Sequence, residues 1–376
     1  MKITINIQQP SIPTYRRPFF ERLNRMINLH LYYGYDGVPS DLPDNIDKHF
    51  YHLRIFDVKI FNIKWHSAQI KAVTRNTDAV ILSWDVQYLS LWLALLKGFM
   101  LKKPLILWGH GYSKKDSPLK RKIRNFPAYL VKAIILYDFH TADELKKIKG
   151  LKNKIFIAPN SLDYCKIQEA KNYWLNNYTT LKQFQVQNRI YETYNIIYIG
   201  RIYKENHLEI LLKAIKEVSL EIKNIKLIII GKVNDYVNEL KSFAFEMGIS
   251  DKIKWTDAIY DEYSIAPWML SSNVFCYPEN VGLSLIHAFG YGLPAITNNL
   301  YFKHGPEIWA LKDGINGLTF RKNDFKDLAR QIIRLYKDED LRKKLSNHAL
   351  ETVKENYNLA KMVDGFLKAI NYAIKK

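Results

Sequence analysis

Short apolar runs of strand length alternate with segments of helical periodicity along the whole chain. The first run, residues 2–7, alternates with a period of two, as a half-buried strand does. Continuous apolar runs follow at 78–83, 104–109, 133–137 and 154–159. Strands that alternate with helices are typical of a parallel sheet covered by helices on both faces. The pattern therefore predicts an α/β fold.

The alternation stops in one polar, aromatic and aperiodic stretch, residues 164–193, and then begins again. Apolar runs return at 194–200, 226–231, 273–277 and 294–297, with a helical pattern at 207–218, and the chain is mostly helical after about 323. We therefore predict two successive α/β domains, 1–188 and 189–355, followed by a C-terminal helix at 356–376. The junction is expected near 185–193.

Two helix starts are predicted from their caps. Thr141 and Glu144 have the spacing of a capping box. The acidic triplet 338–340 opens a charged helix, and because Asp and Glu favour first turns we interpret it as a cap and not as a metal site.

Length and composition are those of a globular protein with more than one core. The chain has 376 residues, of which 48% are hydrophobic, and this suits two domains. Its two cysteines, Cys165 and Cys276, lie far apart, which favours neither a disulfide framework nor a metal cluster. Cys276 stands in an apolar run and is expected to be buried. No metal and no cofactor are predicted.

The N-terminal ten residues lack the apolar core of a signal peptide, and no run of 18 apolar residues could span a bilayer. We therefore expect a cytoplasmic protein, placed at the inner face of the cell membrane by the charge pattern that follows.

Positive charge is concentrated in the N-terminal half. The net charge is +19, and residues 1–160 hold 26 Lys and Arg against 12 Asp and Glu, a balance of +14. The stretch 97–132 has ten basic residues and one acid, interleaved with large apolar side chains. An ordinary solvated face would explain the charge alone, but the mixture suits an anionic membrane surface better than a nucleic-acid groove. No nucleic-acid-binding motif accompanies it, so no nucleic-acid partner is expected.

Glycines and polar side chains follow several predicted strands, where open parallel sheets bind ligands. His110 stands between two glycines after the run 104–109. Gly200 and Arg201 follow the run 194–200, and Glu279 and Gly282 follow the run 273–277. The chain lacks both a dinucleotide fingerprint and a P-loop after these strands.

Each of these groups suits a phosphate-bearing ligand. Gly282 permits a close backbone approach, and the amides of Leu283 and Ser284 stand at a helix start, which binds phosphate. Arg201 can grip a pyrophosphate with its planar fork. A carboxylate beside phosphate needs another partner, and sugar hydroxyls would suit Glu279. These residues predict a site for a nucleoside diphosphate sugar.

The stretches "GR…K/N…LLKA" (200–214) and "PENVGLSLIHAFGYGLPAI" (278–296) resemble the GT-B glycosyltransferases of family 4. The resemblance implies two Rossmann-like parallel-sheet domains facing a central cleft, with the last helix crossing back onto the N-terminal, acceptor-side domain. It implies a retaining hexosyl- or N-acetylhexosaminyltransferase that works without metal. The donor would be a nucleotide diphosphate sugar, a UDP-sugar in preference to a GDP-sugar, and the acceptor a glycan or lipid-linked acceptor of cell-surface polysaccharide biosynthesis.

Residue by residue, the resemblance implies catalytic roles for Arg201, Glu279 and His110. It implies a donor site that also holds a second cation and a ribose-binding carboxylate. Ungapped alignment puts Asn206 where the family has its lysine, so Lys204 is the alternative cation. His287 stands where the family has its second glutamate, and one hydrogen bond to a ribose hydroxyl is expected of it; His287→Glu should then preserve donor binding. The predicted donor-binding residues are Gly200, Arg201, Lys204, Glu279, Gly282, Leu283, Ser284 and His287.

The acceptor side departs from the family pattern, because the glycine-rich loop after the first strand is replaced by "QQPSIPTYRRPFF". The acceptor candidates are Tyr15, Arg16, Arg17, Trp84 and Asp85, for each of which loop packing is an alternative. Two other enzyme classes, a GT-B sugar-nucleotide epimerase and a phosphorylase, would use a similar fold. A basic nucleic-acid-binding protein is the alternative outside enzymes.

Overall fold

The computed structural model describes residues 2–34, 45–51, 53–55, 63–112 and 118–375. These residues divide into two compact units. The first joins the N-terminal residues, up to Asn160, to a C-terminal segment that starts at Leu359, and the second is Ser161–Asn358.

The first unit is built on a parallel sheet of seven strands. Their order is β3-β2-β1-β6-β7-β8-β9, and a short antiparallel pair, β4 and β5, lies outside this sheet. The strands are β1 (Thr4–Gln9), β2 (Asn28–Gly34), β3 (Asp47–Tyr51), β4 (Leu53–Ile55), β5 (Lys64–His66), β6 (Ala79–Ser83), β7 (Leu105–Gly109), β8 (Ala133–Leu136) and β9 (Ile155–Ile157).

The second unit has a parallel sheet of six strands in the order β12-β11-β10-β13-β14-β15. They are β10 (Tyr194–Ile199), β11 (Ile225–Ile230), β12 (Ile253–Thr256), β13 (Val274–Cys276), β14 (Ala295–Asn298) and β15 (Gly317–Phe320). The order makes β10 and β13 direct neighbours. Cys276 is fully buried in β13, as the apolar run predicts.

The helices cover both sheets. They are α1 (Arg17–Met26), α2 (Ser67–Ala72), α3 (Leu89–Met100), α4 (Pro118–Leu130), α5 (Phe139–Lys146), α6 (Tyr164–Asn176), α7 (Tyr178–Gln187), α8 (Leu208–Glu221), α9 (Asp235–Glu246), α10 (Glu262–Leu270), α11 (Leu283–Tyr291), α12 (Phe325–Lys337), α13 (Glu339–Glu355) and α14 (Leu359–Lys375). Short 3-10 turns lie at 14–16, 152–154, 204–206, 250–252, 301–303 and 306–310. None of the described helices has both the length and the apolar content needed to cross a bilayer.

The predicted α/β class with parallel sheets is confirmed in both units, but the boundary between them differs from the expected one. Residues 161–188 belong to the second unit, because they form helices α6 and α7 and not an irregular junction. Ile167 and Ala170 of α6 are buried in the core of that unit. Helix α14 packs on the first unit, where Met362 and Phe366 lie in the core beside the sheet.

One predicted helix cap is wrong and the other is confirmed. Asp138, not Thr141, caps α5: its Oδ1 accepts a hydrogen bond from the Thr141 amide at 2.7 Å, so the helix starts at Phe139. Asp338 caps α13 and accepts from the Leu341 amide at 2.8 Å. Asp138 caps the helix because it stands three positions before the free Thr141 amide, the spacing at which an N-cap side chain accepts a hydrogen bond.

Candidate active site

The predicted donor residues meet at one edge of the second sheet. Strands β10 and β13 are parallel neighbours, with Ile197 opposite Phe275, so their carboxyl ends lie side by side. Gly200 and Arg201 follow β10 directly, and Glu279 and Gly282 follow β13. The structure therefore brings these residues, 80 positions apart in sequence, to one place.

Gly200 is required by the backbone at this edge. It has a φ of 157°, in the region that residues with a Cβ rarely adopt, and a Cβ there would lie 3.0 Å from the Tyr277 hydroxyl. The ring of Tyr277 stacks on that of Tyr198 at 4.5 Å, and burial raises the pKa of both phenols, so both remain neutral donors.

Asn206 supports this turn and is not a substitute for a phosphate-binding lysine. It is buried, and its amide donates to the Arg201 carbonyl at 2.6 Å and to the Tyr277 hydroxyl at 3.0 Å. The other candidate, Lys204, directs its ammonium group to Glu239 of α9 at 2.9 Å and is 68% exposed. Arg201 therefore lies at the strand end. Asn206 and Lys204 are the two candidates for the family's lysine position, and neither contacts Glu279.

Helix α11 begins at this edge with an open N-terminus. Gly282 is its cap residue, and a Cβ there would find only Glu307 Oε2, at 3.7 Å, within 4 Å. Packing therefore does not require glycine at position 282. Because Gly282 has no side chain, however, the space in front of the Leu283 and Ser284 amides stays open. The first amides of a helix and its dipole attract an anion into such a space.

Glu279 lies beside this helix start and is 9% exposed. Its Oε1 pairs with the Lys322 ammonium at 3.0 Å. Its Oε2 is buried without a hydrogen-bond partner in the described part of the chain; His207 Nε2 stands 3.6 Å from it. A buried carboxylate oxygen of this kind calls for a donor, and a ligand hydroxyl would provide one.

His207 and Lys322 are the groups around Glu279 that the sequence did not reveal. His207 starts α8 with a left-handed backbone, φ 53° and ψ 46°, and its Nδ1 lies 2.9 Å from Glu209 Oε1. A non-glycine residue in this conformation is uncommon and often marks a functional site. Lys322 follows β15, at the same carboxyl edge of the sheet, which is the one sequence signal that could have found it.

His287 faces a carboxylate and not open space. Its Nε2 lies 2.8 Å from Oε1 of Glu262, the first residue of α10. The Tyr291 hydroxyl donates to the same oxygen at 2.6 Å. Sequence reasoning missed Glu262, because it lies 25 positions before His287 and on another helix.

Burial and the neighbouring groups have opposite effects on the pKa of the Glu262 carboxyl. Burial alone would raise its pKa, but the charge and hydrogen bond of His287 and the Tyr291 hydroxyl outweigh it, so the pKa is lowered. Burial, together with the Glu262 charge, raises the pKa of Tyr291. The group is therefore a carboxylate held by two donors one turn below the α11 N-terminus.

In the first unit, His110 follows β7 and is exposed. Its ring lies 4.9 Å from that of Tyr137. Gly111 then takes a φ of 68°, and a Cβ there would come within 2.9 Å of Leu136. The tight glycine turn thus presents the imidazole at the carboxyl edge of the first sheet.

The acceptor candidates fall into two groups. Tyr15 is 40% exposed and Arg17 is half-buried, whereas Arg16 is buried below them. Trp84 is also buried and donates its indole N–H to the carbonyl of Arg124 in helix α4 at 3.0 Å. Asp85 accepts from the Gln87 amide at 3.0 Å and closes the same turn.

Comparison with known proteins identifies the same region of the chain. The sequence model of the family described as glycosyl transferases group 1 matches residues 148–352, more than half of the chain. An uncharacterised glycosyltransferase of Methanocaldococcus jannaschii is 25% identical over 97% of this chain and 88% of its own length. The capsular polysaccharide biosynthesis glycosyltransferase CapM of Staphylococcus aureus is 26% identical over 65% of this chain and 66% of its own.

Among solved structures, the HepE protein of Anabaena in complex with UDP superposes with a TM-score of 0.73. It covers 99% of this chain and 100% of its own at 14% identity. At that identity the likeness shows the fold, which is the GT-B arrangement of two parallel-sheet domains.

Proposed function

This chain belongs to the family of group 1 glycosyl transferases, and from that premise we propose that it moves a sugar from a nucleotide diphosphate sugar to a glycan or lipid-linked acceptor in polysaccharide biosynthesis. The capsular role in the name of the Staphylococcus aureus relative supports the pathway. The observation that carries the proposal is the buried Oε2 of Glu279, which has no hydrogen-bond partner among the described residues and lies beside the N-terminus of α11.

The diphosphate is assigned to the start of α11. One phosphate would bind to the amides of Leu283 and Ser284 and be stabilised by the helix dipole. Arg201, at the end of β10, would neutralise the charge of the other phosphate. These groups are fixed before the reaction, so they would stabilise the negative charge that builds up on the leaving diphosphate without reorganisation.

The transferred sugar is assigned to Glu279. Its Oε2 would accept a sugar hydroxyl, while Lys322 holds Oε1 in place at 3.0 Å. The His207 imidazole, 3.6 Å from Oε2, limits where that hydroxyl can lie. A buried carboxylate oriented in this way selects a donor with a hydroxyl at the matching position, which supports a hexose or an N-acetylhexosamine.

The ribose is assigned to Glu262, with His287 as a positioning residue. A carboxylate can accept from two neighbouring hydroxyls, which an imidazole cannot do. Glu262 starts α10 beside α11, and His287 and Tyr291 bind only its Oε1. The UDP found with the Anabaena structure supports a uridine donor in preference to a guanosine one.

The proposed reaction retains the configuration of the sugar. The bond between the anomeric carbon and the β-phosphate oxygen breaks, and the acceptor oxygen bonds to that carbon on the same face. The acceptor proton passes to the departing diphosphate, which Arg201 and the helix start stabilise, so no metal is invoked. In the first unit we propose a catalytic role for His110 and acceptor contacts for Tyr15 and Arg17.

We also propose that the first unit works on an anionic membrane surface. Helix α3 exposes Leu89, Leu93, Leu96 and Met100 at helical spacing, and Phe99 beside them is 83% exposed. Helix α4 repeats that spacing with Leu119, Ile123, Phe126 and Leu130. The rings of Trp92 and Phe126, 5.9 Å apart, join the two stripes into one α3–α4 face.

Cations surround the α3–α4 face. They are Lys102, Lys120, Arg121, Lys122 and Lys132, all exposed. Apolar side chains that enter the acyl boundary and cations that meet anionic headgroups together suit a lipid surface. A lipid-linked acceptor would then reach the enzyme at the membrane where it resides.

The experiment is a donor screen followed by product analysis. Purified full-length chain is incubated with UDP-hexoses, UDP-N-acetylhexosamines and their GDP counterparts, and release of the nucleoside diphosphate is measured. Release that needs Glu279, with a new glycosidic product on added acceptor, is the expected result. Conversion of donor to its epimer, phosphate-dependent cleavage of a glycan, or no nucleotide binding at all would overturn the proposal.

A further inference from the structure

Arg16 is a buried cation for which the described residues provide no anion. It is 6% exposed, and none of the described carboxylates pairs with it. Its guanidinium lies 5.3 Å from the ring centre of Trp108 and 5.5 Å from that of Tyr137. Within the described chain the guanidinium makes one hydrogen bond, from Nη1 to the thioether of Met362 at 3.2 Å, and sulfur of this kind is a weak acceptor.

Two further donors near the carboxyl edge of the same sheet also lack acceptors. The indole Nε1 of Trp108, the residue whose ring the guanidinium faces, is buried without a partner. So is the amide Nε2 of Gln9, the last residue of β1. Gln9 shares a strand face with Ile5 and Ile7, which lie in the same core as Trp108.

All three of these groups are donors. The guanidinium and the two N–H groups find no oxygen acceptor among the described residues, and aromatic faces compensate only part of the cost of removing a guanidinium from water. Native proteins satisfy nearly all such groups, so a cluster of buried donors without acceptors marks the place of a missing acceptor.

We propose that Arg16 and the indole N–H of Trp108, with Gln9, form a binding site for a phosphoryl group carried by the acceptor. A tetrahedral anion presents oxygens in several directions and suits donors that come from a helix start and two different strands. Tyr15, whose ring lies 5.3 Å from the guanidinium and is 40% exposed, forms the outer wall of this site. The assignment to the acceptor rests on the proposed function, whereas the anion site itself does not.

The test measures thermal unfolding of the full chain against inorganic phosphate at constant ionic strength. A phosphate ion that binds only the folded state raises Tm with concentration. To weaken the donor-side phosphate site, all variants are made in an Arg201→Gln background. The Tm rise is expected to persist in that background and to be lost in Arg16→Met, while the exposed Arg25→Met on α1 leaves it unchanged.

A second variant guards against misfolding of Arg16→Met. Trp108→Phe keeps an aromatic ring beside the guanidinium but removes the N–H, so about tenfold more phosphate should be needed for the same Tm rise. Acetate at the same ionic strength should give no rise.

The outcomes separate the two proposals. The phosphoryl site is overturned if phosphate still raises Tm in both Arg16→Met and Trp108→Phe. It is also overturned if acetate alone raises Tm. Loss of UDP binding in Arg201→Gln concerns the donor site only. Unchanged UDP binding in that variant would count against the proposed function and would not affect the phosphate result.

Discussion

The Nε2 atom of His287 lies 2.8 Å from Oε1 of Glu262, and this contact joins helices α10 and α11 beside the candidate phosphate site. Position 287, for which the resemblance implies a glutamate, is a histidine that contacts a glutamate of another helix. Helix α10 thus supplies a carboxylate beside His287.

We predict that Glu262→Gln abolishes the preference for an intact ribose. The wild-type chain should bind UDP about tenfold more tightly than 2′,3′-dideoxy-UDP, because the dideoxy-ribose offers Glu262 no hydroxyl donors. The Glu262→Gln variant should bind both nucleotides with the affinity that the wild-type chain has for the dideoxy nucleotide. Isothermal titration with the two nucleotides measures the difference, and Glu246→Gln, an exposed residue of α9, is the control. Equal preference in wild type and variant would contradict the assignment.

His287→Glu should destabilise the protein, contrary to the expectation from the family pattern alone. A glutamate at 287 would place a second carboxylate against Glu262, and like charges at this distance repel in a largely buried site. We expect a loss of about 1–3 kcal/mol in the free energy of unfolding, measured by urea titration. Combining it with Glu262→Gln should recover much of that loss; a double variant as unstable as His287→Glu would show that the repulsion is not the cause.

The Glu262 carboxylate should make stability depend on acid pH. Burial opposes its ionisation, but His287, Tyr291 and Lys166 outweigh burial and lower its pKa. The native state therefore binds fewer protons than the unfolded chain, whose glutamates titrate near about 4.3. Its contribution is complete above that pH and is lost as the pH falls through the lowered native pKa.

The contribution of Glu262 to the pH dependence of stability is tested by measuring the free energy of unfolding at about pH 7 and about pH 3.5. The wild-type chain should lose more stability between the two than Glu262→Gln does. An identical loss in both proteins would mean that Glu262 titrates normally.

Glu279→Gln should impair the chemical step more than folding. The amide keeps the shape but removes the charge that Lys322 and His207 face, and it weakens the contact to the sugar. We expect kcat to fall on the order of 10²-fold, the cost typical of one lost transition-state contact, with nucleotide affinity nearly unchanged. Initial rates at saturating donor measure it, with the exposed Glu205→Gln as control. A kcat equal to that of the control would remove Glu279 from the reaction.

The α3–α4 face should bind anionic vesicles through its apolar side chains. Phe99→Ser is expected to lower the bound fraction about tenfold, because burying a large apolar side chain contributes about 1.5–3 kcal/mol. Phe245→Ser provides a matched control, since Phe245 is 78% exposed on α9 of the second unit. Co-sedimentation with phosphatidylglycerol-containing and pure phosphatidylcholine vesicles measures binding; equal binding to both lipids would contradict the anionic-surface proposal.

Much of the fold could be predicted from periodicity. The apolar runs at 78–83, 104–109, 194–200 and 226–231 are strands because both faces of a parallel sheet are buried, so their sequence is continuously apolar. Periodicity does not predict strand β2, "NLHLYYG", or strand β15, "GLTF", because polar or glycine residues interrupt the apolar runs. It does not predict helices α6 and α7 either, because they bury few side chains and their apolar stripe is weak.

The amino-acid sequence suffices to predict the residues that carry the candidate chemistry at each strand end: His110, Arg201, Glu279 and the glycines beside them. Such groups can be recognised locally, because consecutive residues form a strand, a tight turn and a helix start. The partners of these residues depend on the tertiary packing. Glu262 reaches His287, Lys322 reaches Glu279 and Arg16 meets Trp108 because sheet order and helix packing bring together positions that no sequence spacing connects.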